Sequence, residues 1–164
     1  MARITLDIKS IENDFFEGQS LLALSAPGLP DYRLCWMLNH YLDFYFLRQP
    51  EMDIPITPGT KARAAPADDL FAGITESQNR EEFYFPVYQH TIPGTDSSIF
   101  LYGNKCVHQV LITEMPEADF FILYPGSSLH EHCQRLAHCR KLKNITWMKK
   151  IPVGNLKSRA AFIL

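Results

Sequence analysis

The sequence predicts one α+β domain over residues 1–164, in which two main helices pack on one face of an antiparallel sheet. Three observations predict this class. Apolar runs of strand length end in Pro-Gly turns, a long periodic helical segment lies near the beginning, and a second helical segment lies near the end. A ferredoxin-like or similar split β-α-β arrangement is the nearest named shape. The composition, 46% hydrophobic and 21% charged, is that of an ordinary globular domain with one core.

The first strand and the first helix are predicted from a change in periodicity. Residues 21–25 form a short apolar run before a Pro-Gly turn, which is typical of a buried strand. A helix is expected over 30–48, because Pro30 suits the first helical position and Pro50 follows the end. Apolar side chains recur along this helix at three- and four-residue spacing. The predicted core face consists of Leu34, Cys35, Leu38, Tyr41, Leu42 and Tyr45.

The long helix carries more large apolar side chains than one core face can hold. Arg33, His40 and Asp43 form its polar stripe, and large apolar residues flank that stripe. Such a surplus indicates either that other elements cover the helix on two sides or that part of it forms a subunit interface. We therefore expect a homodimer. The candidate interface residues are Trp36, Met37, Phe44 and Leu47.

The middle of the chain predicts short strands around one loop. Residues 52–57 are typical of an edge strand, because Pro55 cannot donate to a central ladder. Residues 58–69 are rich in Pro, Gly, Ala and charged residues, which predicts a mobile loop. Two aromatic-rich runs, 82–91 and 98–102, flank a Pro-Gly turn and together predict a β-hairpin.

The last third of the chain predicts a strand, a helix and a strand. Residues 119–124 form an apolar run of strand length. Ser128 and Glu131 have the spacing of a capping box, so a helix is expected to begin there and to end near residue 142. Residues 145–151 fit a last strand.

The segment Ile112-Thr113-Glu114-Met115-Pro116-Glu117-Ala118-Asp119-Phe120 contains carboxylates that could carry chemistry. Paired carboxylates can bind a hard cation or act as acid and base. A usable site gathers its groups from several elements, however, and the sequence shows no matching His or Asp cluster. The favoured interpretation is structural, in which Glu114 or Asp119 accepts hydrogen bonds from the loop backbone or pairs with a cation such as Arg33. No catalytic residue is predicted.

This segment also resembles the naming motif of a bacterial family of unknown function called IPExxxVDY. Ile112-Thr113-Glu114, a three-residue spacer and Ala118-Asp119-Phe120 follow the order of that motif. The opening Asp31-Tyr32-Arg33-Leu34 of the long helix and the ending Leu156-Lys157-Ser158-Arg159, followed by an apolar tail at 161–164, resemble the family as well. The matching motif residues are Ile112, Glu114 and Asp119, whereas Thr113, Ala118 and Phe120 replace its Pro, Val and Tyr.

The resemblance implies a divergent member of that family, and hence a small cytoplasmic protein with no established activity. It supplies no catalytic residue. The apolar tail is expected to pack against the domain.

Charge is distributed unevenly along the chain despite a net charge of −2. All 18 acidic side chains lie before residue 132, and eight of the 16 Lys and Arg residues follow it. Such a basic segment can bind nucleic acid or a phosphorylated ligand, or it can pair with the acidic part of its own fold. Self-pairing is favoured, because the segment lacks interleaved aromatic residues. The candidate anion-binding residues, which include the turn before the second helix, are Ser127, Ser128, Arg135, Arg140, Lys141 and Lys143.

No metal and no cofactor are predicted. On the second helix only His130 and Cys133 have the three- or four-residue spacing that shared ligands need, and no dinucleotide or P-loop fingerprint occurs. The sequence shows neither a secretory signal nor an apolar run long enough to span a membrane, which predicts a cytoplasmic protein. Its cysteines are therefore expected to be buried free thiols: Cys35, Cys106, Cys133 and Cys139.

Two functions from different classes follow from these patterns. The first is a non-enzymatic interaction or regulatory module that is homodimeric through the long helix. The alternative is a binder of nucleic acid or of a phosphorylated ligand through the basic C-terminal segment. An enzyme of unknown class ranks third.

Overall fold

A six-stranded antiparallel sheet forms the centre of the molecule and confirms the α+β class. The structure is a computed structural model and describes residues 8–56, 83–126 and 130–163. The mobile loop predicted at 58–69 and the predicted capping residue Ser128 lie outside the described residues.

The helices of the described chain are α1 (Ile8–Phe16), α2 (Asp31–Leu42) and α3 (His130–Ala137), with 3₁₀ helices at Pro50–Met52, His138–Lys141, Val153–Asn155 and Lys157–Phe162. The strands are β1 (Gln19–Ser25), β2 (Leu47–Arg48), β3 (Ile54–Pro55), β4 (Tyr84–Phe85), β5 (Val87–Thr91), β6 (Ser98–Gly103), β7 (Lys105–Cys106), β8 (Gln109–Val110), β9 (Phe120–Pro125) and β10 (Trp147–Ile151).

The strand order of the large sheet is β10-β1-β9-β6-β5-β2. Strand β1 lies inside the sheet, where Leu22 pairs with Ile122 of β9 on one side and with Lys150 of β10 on the other. The predicted hairpin is confirmed as β5 and β6, and Gly94 in its turn has a φ of 76°. That left-handed conformation favours glycine because a Cβ atom would be strained there. The predicted strands at the positions of β1, β9 and β10 are confirmed as well.

Apolar side chains cover both faces of the sheet. Along β1 and β9, alternate residues belong to different clusters: Leu22 and Ile122 contribute to one, Leu21 and Leu123 to the other. This double coverage explains why these strands are continuous apolar runs and not alternating ones. Each fully buried large apolar side chain stabilises the fold by about 1.5–3 kcal/mol.

Different parts of the chain complete the two clusters. The first contains residues of α2 and of the region around α3, and the second contains Phe16 of α1 and Phe162 near the C-terminal end. The Tyr102 hydroxyl donates to the Phe162 carbonyl at 3.1 Å, which confirms that the apolar tail packs on the domain. The expected ferredoxin-like arrangement, with both main helices on one face, stays a prediction.

Helix α2 ends earlier than the predicted residue 48. It ends at Leu42 because Asp43 adopts a left-handed conformation, with a φ of 59°, and reverses the chain. We call residues 43–46 the reversed segment. The Asn39 side chain holds it in place, since its oxygen accepts from the Phe46 amide at 2.8 Å and its nitrogen donates to the Phe46 carbonyl at 3.0 Å. Phe44 and Phe46 therefore enter the core, whereas the predicted core residues Tyr41 and Tyr45 are 59% and 71% exposed.

Two other predicted elements differ from the structure. In place of one strand over 52–57, a 3₁₀ helix at Pro50–Met52 precedes the two-residue strand β3, which contains the edge-compatible Pro55. The second helix is α-helical only through Ala137 and continues as the 3₁₀ helix His138–Lys141. None of the helices in the described ranges has the length and apolar character that crossing a membrane requires.

Candidate functional site

The acidic segment 112–120 wraps around one buried amide, that of Asn104. The Asn104 side-chain oxygen accepts from the Ile112 amide at 2.8 Å. Its nitrogen donates to the carbonyls of Met115, at 3.1 Å, and Ala118, at 2.8 Å. A buried amide with these partners fixes the path of the loop, because each partner would lose a hydrogen bond without it. Sequence reasoning missed Asn104, since its partners come from the loop that folds over it.

Asp119 connects this loop to the end of β1. One carboxylate oxygen accepts from the Ala26 amide at 2.7 Å and from the Ser25 hydroxyl at 3.1 Å. The other accepts from the Lys105 ammonium at 2.7 Å. The structure thus pairs Asp119 with Lys105 and not with Arg33, because Lys105 follows β6, the strand that pairs with β9.

Glu114 binds the C-terminal part of the chain. Its carboxylate accepts from the Ser158 amide at 2.8 Å and from the Ser158 hydroxyl at 2.6 Å. These hydrogen bonds lower the pKa of Glu114 to about 2, because they favour the charged form. Both motif carboxylates are therefore engaged by their own chain, as the structural interpretation expects.

A second charged region is a groove between α2 and the 3₁₀ helix His138–Lys141. It has a volume of about 560 Å³. Trp36, at the rim, is 53% exposed and stacks on the His40 ring with centroids 4.8 Å apart and planes 13° apart. The groove is lined by Arg33, Trp36, Met37, Tyr41, Leu42, His138, Lys141, Leu142, Lys143 and Asn144.

The groove is electrostatically positive. Arg33, Lys141 and Lys143 line it, and no Asp or Glu does. Within residues 8–56, 83–126 and 130–163, none of these cations forms an ion pair. A concave surface with an apolar floor strengthens the field of such cations, because less water screens them.

The candidate interface residues divide into two groups. Trp36 and Leu47 are each 53% exposed. Phe44 is buried in the chain's own core and is not accessible to a partner, whereas Met37 is 7% exposed and only that small part of it lines the groove. The reversal at Asp43 accounts for Phe44, and Met37 lies on the inner side of α2.

The candidate anion-binding residues divide as well. Lys141 and Lys143 line the groove, and Arg140 is exposed on the same 3₁₀ helix. Arg135 instead pairs with Glu131 and donates to the Asp43 carbonyl at 3.0 Å, so it serves the fold. Ser127 and Ser128 lie outside the described residues.

A cleft of about 460 Å³ lies near Asp119 and contains both signs of charge. Arg48 bridges Asp31, at 3.2 Å, and Asp53. The Tyr88 hydroxyl donates to Asp31 at 2.7 Å. These charges neutralise one another, which is typical of a structural network and unlike the groove.

The cysteines are free thiols, as expected, but only Cys35 and Cys139 are buried, whereas Cys106 and Cys133 are partly exposed. Burial raises the pKa of Cys35 to about 11 and the pKa of Cys139 to about 12, so both stay protonated and unreactive near neutral pH. Across the described ranges, no group of three or more His, Cys, Asp and Glu side chains forms a metal-binding cluster.

Comparison of the chain with protein-family models, with curated proteins and with solved structures finds no match.

Proposed function

We propose that the protein is a non-enzymatic interaction module that binds an acidic segment of a partner protein in the groove beside α2. One observation carries the proposal: an exposed tryptophan stands at a concave surface whose cations have no ion-pair partner in the described chain. The partner segment carries carboxylates on both sides of an apolar or aromatic residue.

The aromatic side chains support a protein partner. Trp, Tyr and Arg dominate the binding energy of protein interfaces, especially when they surround a pocket. The groove combines Trp36, Tyr41 and Arg33 over an apolar floor that includes Met37 and Leu142. An apolar anchor from the partner fills that floor and removes exposed aromatic surface from water.

The charges support an acidic partner. Carboxylates placed opposite Arg33, Lys141 and Lys143 raise the association rate and select against basic segments. A second copy of the chain fits this groove less well. A two-fold interface places the same surface on both sides, so the cations of one copy would face those of the other.

Fluorescence anisotropy with labelled peptides tests the proposal. The probes are synthetic peptides in which Glu and Asp flank a central Leu or Phe, and matched peptides with Lys in place of the acids. We expect the acidic peptides to bind more tightly, and Trp36→Ala to weaken their binding by about tenfold or more.

A charge-matched pair of double variants supplies the control. Lys141→Glu with Lys143→Glu changes the groove, whereas Lys149→Glu with Lys150→Glu changes the exposed residues of β10 by the same net charge. We expect the groove variant to lose acidic-peptide binding and the β10 variant to change it by less than about twofold. Equal losses in both variants, or tighter binding of the basic peptides, would contradict the proposal.

A nucleic acid or a phosphorylated ligand is the second candidate. Its support is the same set of cations beside Trp36 and Tyr41, since aromatic rings stack on bases and cations contact phosphates. Titration of single-stranded RNA and DNA against salt separates the candidates. Tight binding of both nucleic acids with a steep salt slope, and no binding of the acidic peptides, favours this second candidate.

A homodimer is a further proposal, supported by exposed apolar residues outside the groove. Tyr32, Tyr45 and Leu47 are 67%, 71% and 53% exposed. Light-scattering mass measured over a range of concentration tests it, with Leu47→Ser as the variant expected to lower the mass. A strict monomer at the highest concentration contradicts the dimer without affecting the groove proposal.

We also propose that the chain is a divergent, cytoplasmic member of the IPExxxVDY family with a ferredoxin-like or similar split β-α-β fold. Ile112 is buried and Asp119 caps the end of β1, which gives two of the three matching motif residues a structural reason. The free thiols agree with a reducing compartment. Leu34 of α2 and Leu136 of α3 share one apolar cluster, which supports two helices on one face.

A further inference from the structure

Two histidines are buried together where α3 meets the sheet. His90 of β5 is 4% exposed, His132 of α3 is 9% exposed, and their ring centroids are 5.7 Å apart. The rings of Phe44 and Phe46 complete the surroundings, with centroids 5.3 Å and 5.7 Å from that of His90. We call His90 and His132 the histidine pair.

The hydrogen bonding of His90 requires a neutral ring. Its Nδ1 accepts from the Tyr45 amide at 2.9 Å, so Nδ1 carries no proton. The neutral ring then holds its proton on Nε2, which is buried and has no hydrogen-bond partner within the described structure. Protonation of Nδ1 would leave the Tyr45 amide without an acceptor and would place a positive charge among phenyl rings.

His132 has a similar constraint. Its Nδ1 is also buried and unpartnered among the described atoms. The charged groups that act on the pair belong to α3, namely Arg135 and Glu131. The reversed segment after α2 contributes the Tyr45 amide and the Asp43 carbonyl, and the latter binds Arg135. Because Arg135 acts on both rings and the ring centroids are 5.7 Å apart, two protonated histidines would add repulsion to the loss of hydration.

We infer that the histidine pair is an acid-sensitive latch, which holds α3 on the sheet while both rings are neutral and releases it when they are protonated. Among the described residues, three other side chains attach α3: Arg135 donates to the Asp43 carbonyl, and Leu136 and Cys133 pack against the core. Release of the latch does not require the central strands to separate, because β9 pairs with β1 on one side and with β6 on the other independently of α3.

The direction of the pH effect follows from the neutral folded form. Burial is the main reason that the pKa values of His90 and His132 are lowered below the ordinary value of 6.5. A histidine whose pKa is lowered in the folded state stabilises that state fully above the ordinary value. The stabilisation is lost as the pH falls from about 6.5 toward the lowered pKa. At about pH 5.5 each histidine can favour the released form by at most about tenfold.

The latch also connects to the proposed groove. Helix α3 continues directly into the 3₁₀ helix His138–Lys141, which forms one wall of the groove. Release of α3 therefore frees the N-terminal end of that wall, although Cys139 still anchors it in the core, and should weaken the binding of an acidic segment. This consequence rests on the proposed function, whereas the latch itself does not.

Hydrogen exchange of the free protein tests the latch without any ligand. Exchange is measured at about pH 7.5 and about pH 5.5 and is corrected for the intrinsic pH dependence of amide exchange. We expect the α3 amides to lose protection by between about tenfold and a hundredfold at the lower pH, as two titrating histidines allow. The amides of β1 and β9 should keep theirs.

Two variants assign the effect to the pair. His132→Phe keeps an aromatic ring but cannot be protonated, and it should reduce the pH-dependent loss of α3 protection to the roughly tenfold or less that His90 alone allows. His108→Asn removes an exposed histidine far from α3 in sequence and should leave the dependence intact. Histidine NMR titration of the wild-type protein gives a second measurement that needs no variant. Unchanged α3 protection at the lower pH, or ordinary pKa values for both buried rings, would overturn the latch. Loss of peptide binding with an intact latch would instead count against the groove alone.

Discussion

The acidic segment 112–120, which forms a loop, and the groove beside α2 are both rich in charge, but they use it in opposite ways. In the loop, Glu114 and Asp119 bind backbone amides, hydroxyls and Lys105 of their own chain. In the groove, Lys141 and Lys143 face open space beside an exposed tryptophan, without ion pairs in the described ranges. The difference teaches that a charged side chain indicates an interaction site only where its own chain supplies no ion-pair or hydrogen-bond partner for it. Substitutions in the acidic segment should therefore lower the stability of the fold, whereas substitutions in the groove should lower binding with little change in stability.

The largest effect on stability is expected from Asn104→Ala. The change leaves the Ile112 amide and the carbonyls of Met115 and Ala118 buried without their partner. Each unsatisfied group costs about 1–3 kcal/mol, so we expect a total loss of about 3–5 kcal/mol in the free energy of unfolding, measured with urea. The exposed Asn155→Ala is the control and should change it by less than about 0.5 kcal/mol. A loss below about 1 kcal/mol would contradict the conclusion that the Asn104 side chain fixes the path of this loop.

A smaller loss is expected from Asp119→Ala. The carboxylate makes charge-assisted bonds to Ala26 and Lys105 and is mostly buried, with 14% of the side chain exposed. We expect a loss of about 2 kcal/mol in urea unfolding, because such bonds contribute about 1.5–3 kcal/mol. Lys105→Met tests the ion pair alone, and since the lysine is 44% exposed it should cost less than about 1 kcal/mol. Equal losses from the two variants would mean that the ion pair, and not the backbone cap, is the main contribution.

Glu114 should contribute less, and in a way that depends on pH. Hydrogen bonds from Ser158 lower its pKa from 4.5 to about 2. The ionised carboxylate therefore stabilises the fold above about pH 4.5, and this contribution is lost as the pH falls toward 2. Wild type and Glu114→Gln should differ by less than about 1 kcal/mol at neutral pH, because the group is largely exposed. Their stabilities should converge in acid, and a constant difference across that range would contradict the role of the charge.

The smallest effect on stability is expected in the groove. Trp36→Ala and Lys141→Glu alter exposed side chains that the fold does not use for ion pairing. We expect the free energy of unfolding to change by less than about 0.5 kcal/mol in each variant, measured under the conditions used for Asn104→Ala. A large loss in Trp36→Ala would show that this face supports the fold and would weaken the contrast between the two regions.

The sequence patterns correctly predicted those strands and turns that are determined by neighbouring residues in the chain. The apolar runs at β1 and β9 and the Pro-Gly turn between β5 and β6 each lie in consecutive residues, and the structure confirms them. The end of α2 was not predictable in this way. Its reversal depends on the bonds between Asn39 and Phe46 and on the burial of Phe44, which form only when the chain packs on the sheet.

The candidate site shows the same division. Trp36 and Lys141 were each identified from the sequence, but as members of two separate hypotheses. Only the fold places them around one groove, because α2 and the 3₁₀ helix His138–Lys141 are distant in the chain. The histidine pair was missed for a related reason, since His90 and His132 belong to a strand and a helix that no short motif connects.

The position of β1 in the sheet has a consequence for how the chain is made. This strand is an early element in the chain, yet both of its partners, β9 and β10, follow about a hundred or more residues later. During synthesis the apolar side chains of β1 stay exposed to water until β9 and β10, in the last third of the chain, have left the ribosome. Late pairing of this kind slows folding and exposes an unpaired apolar strand to aggregation. Newly made chains should therefore depend on chaperones that shield β1 until β9 arrives.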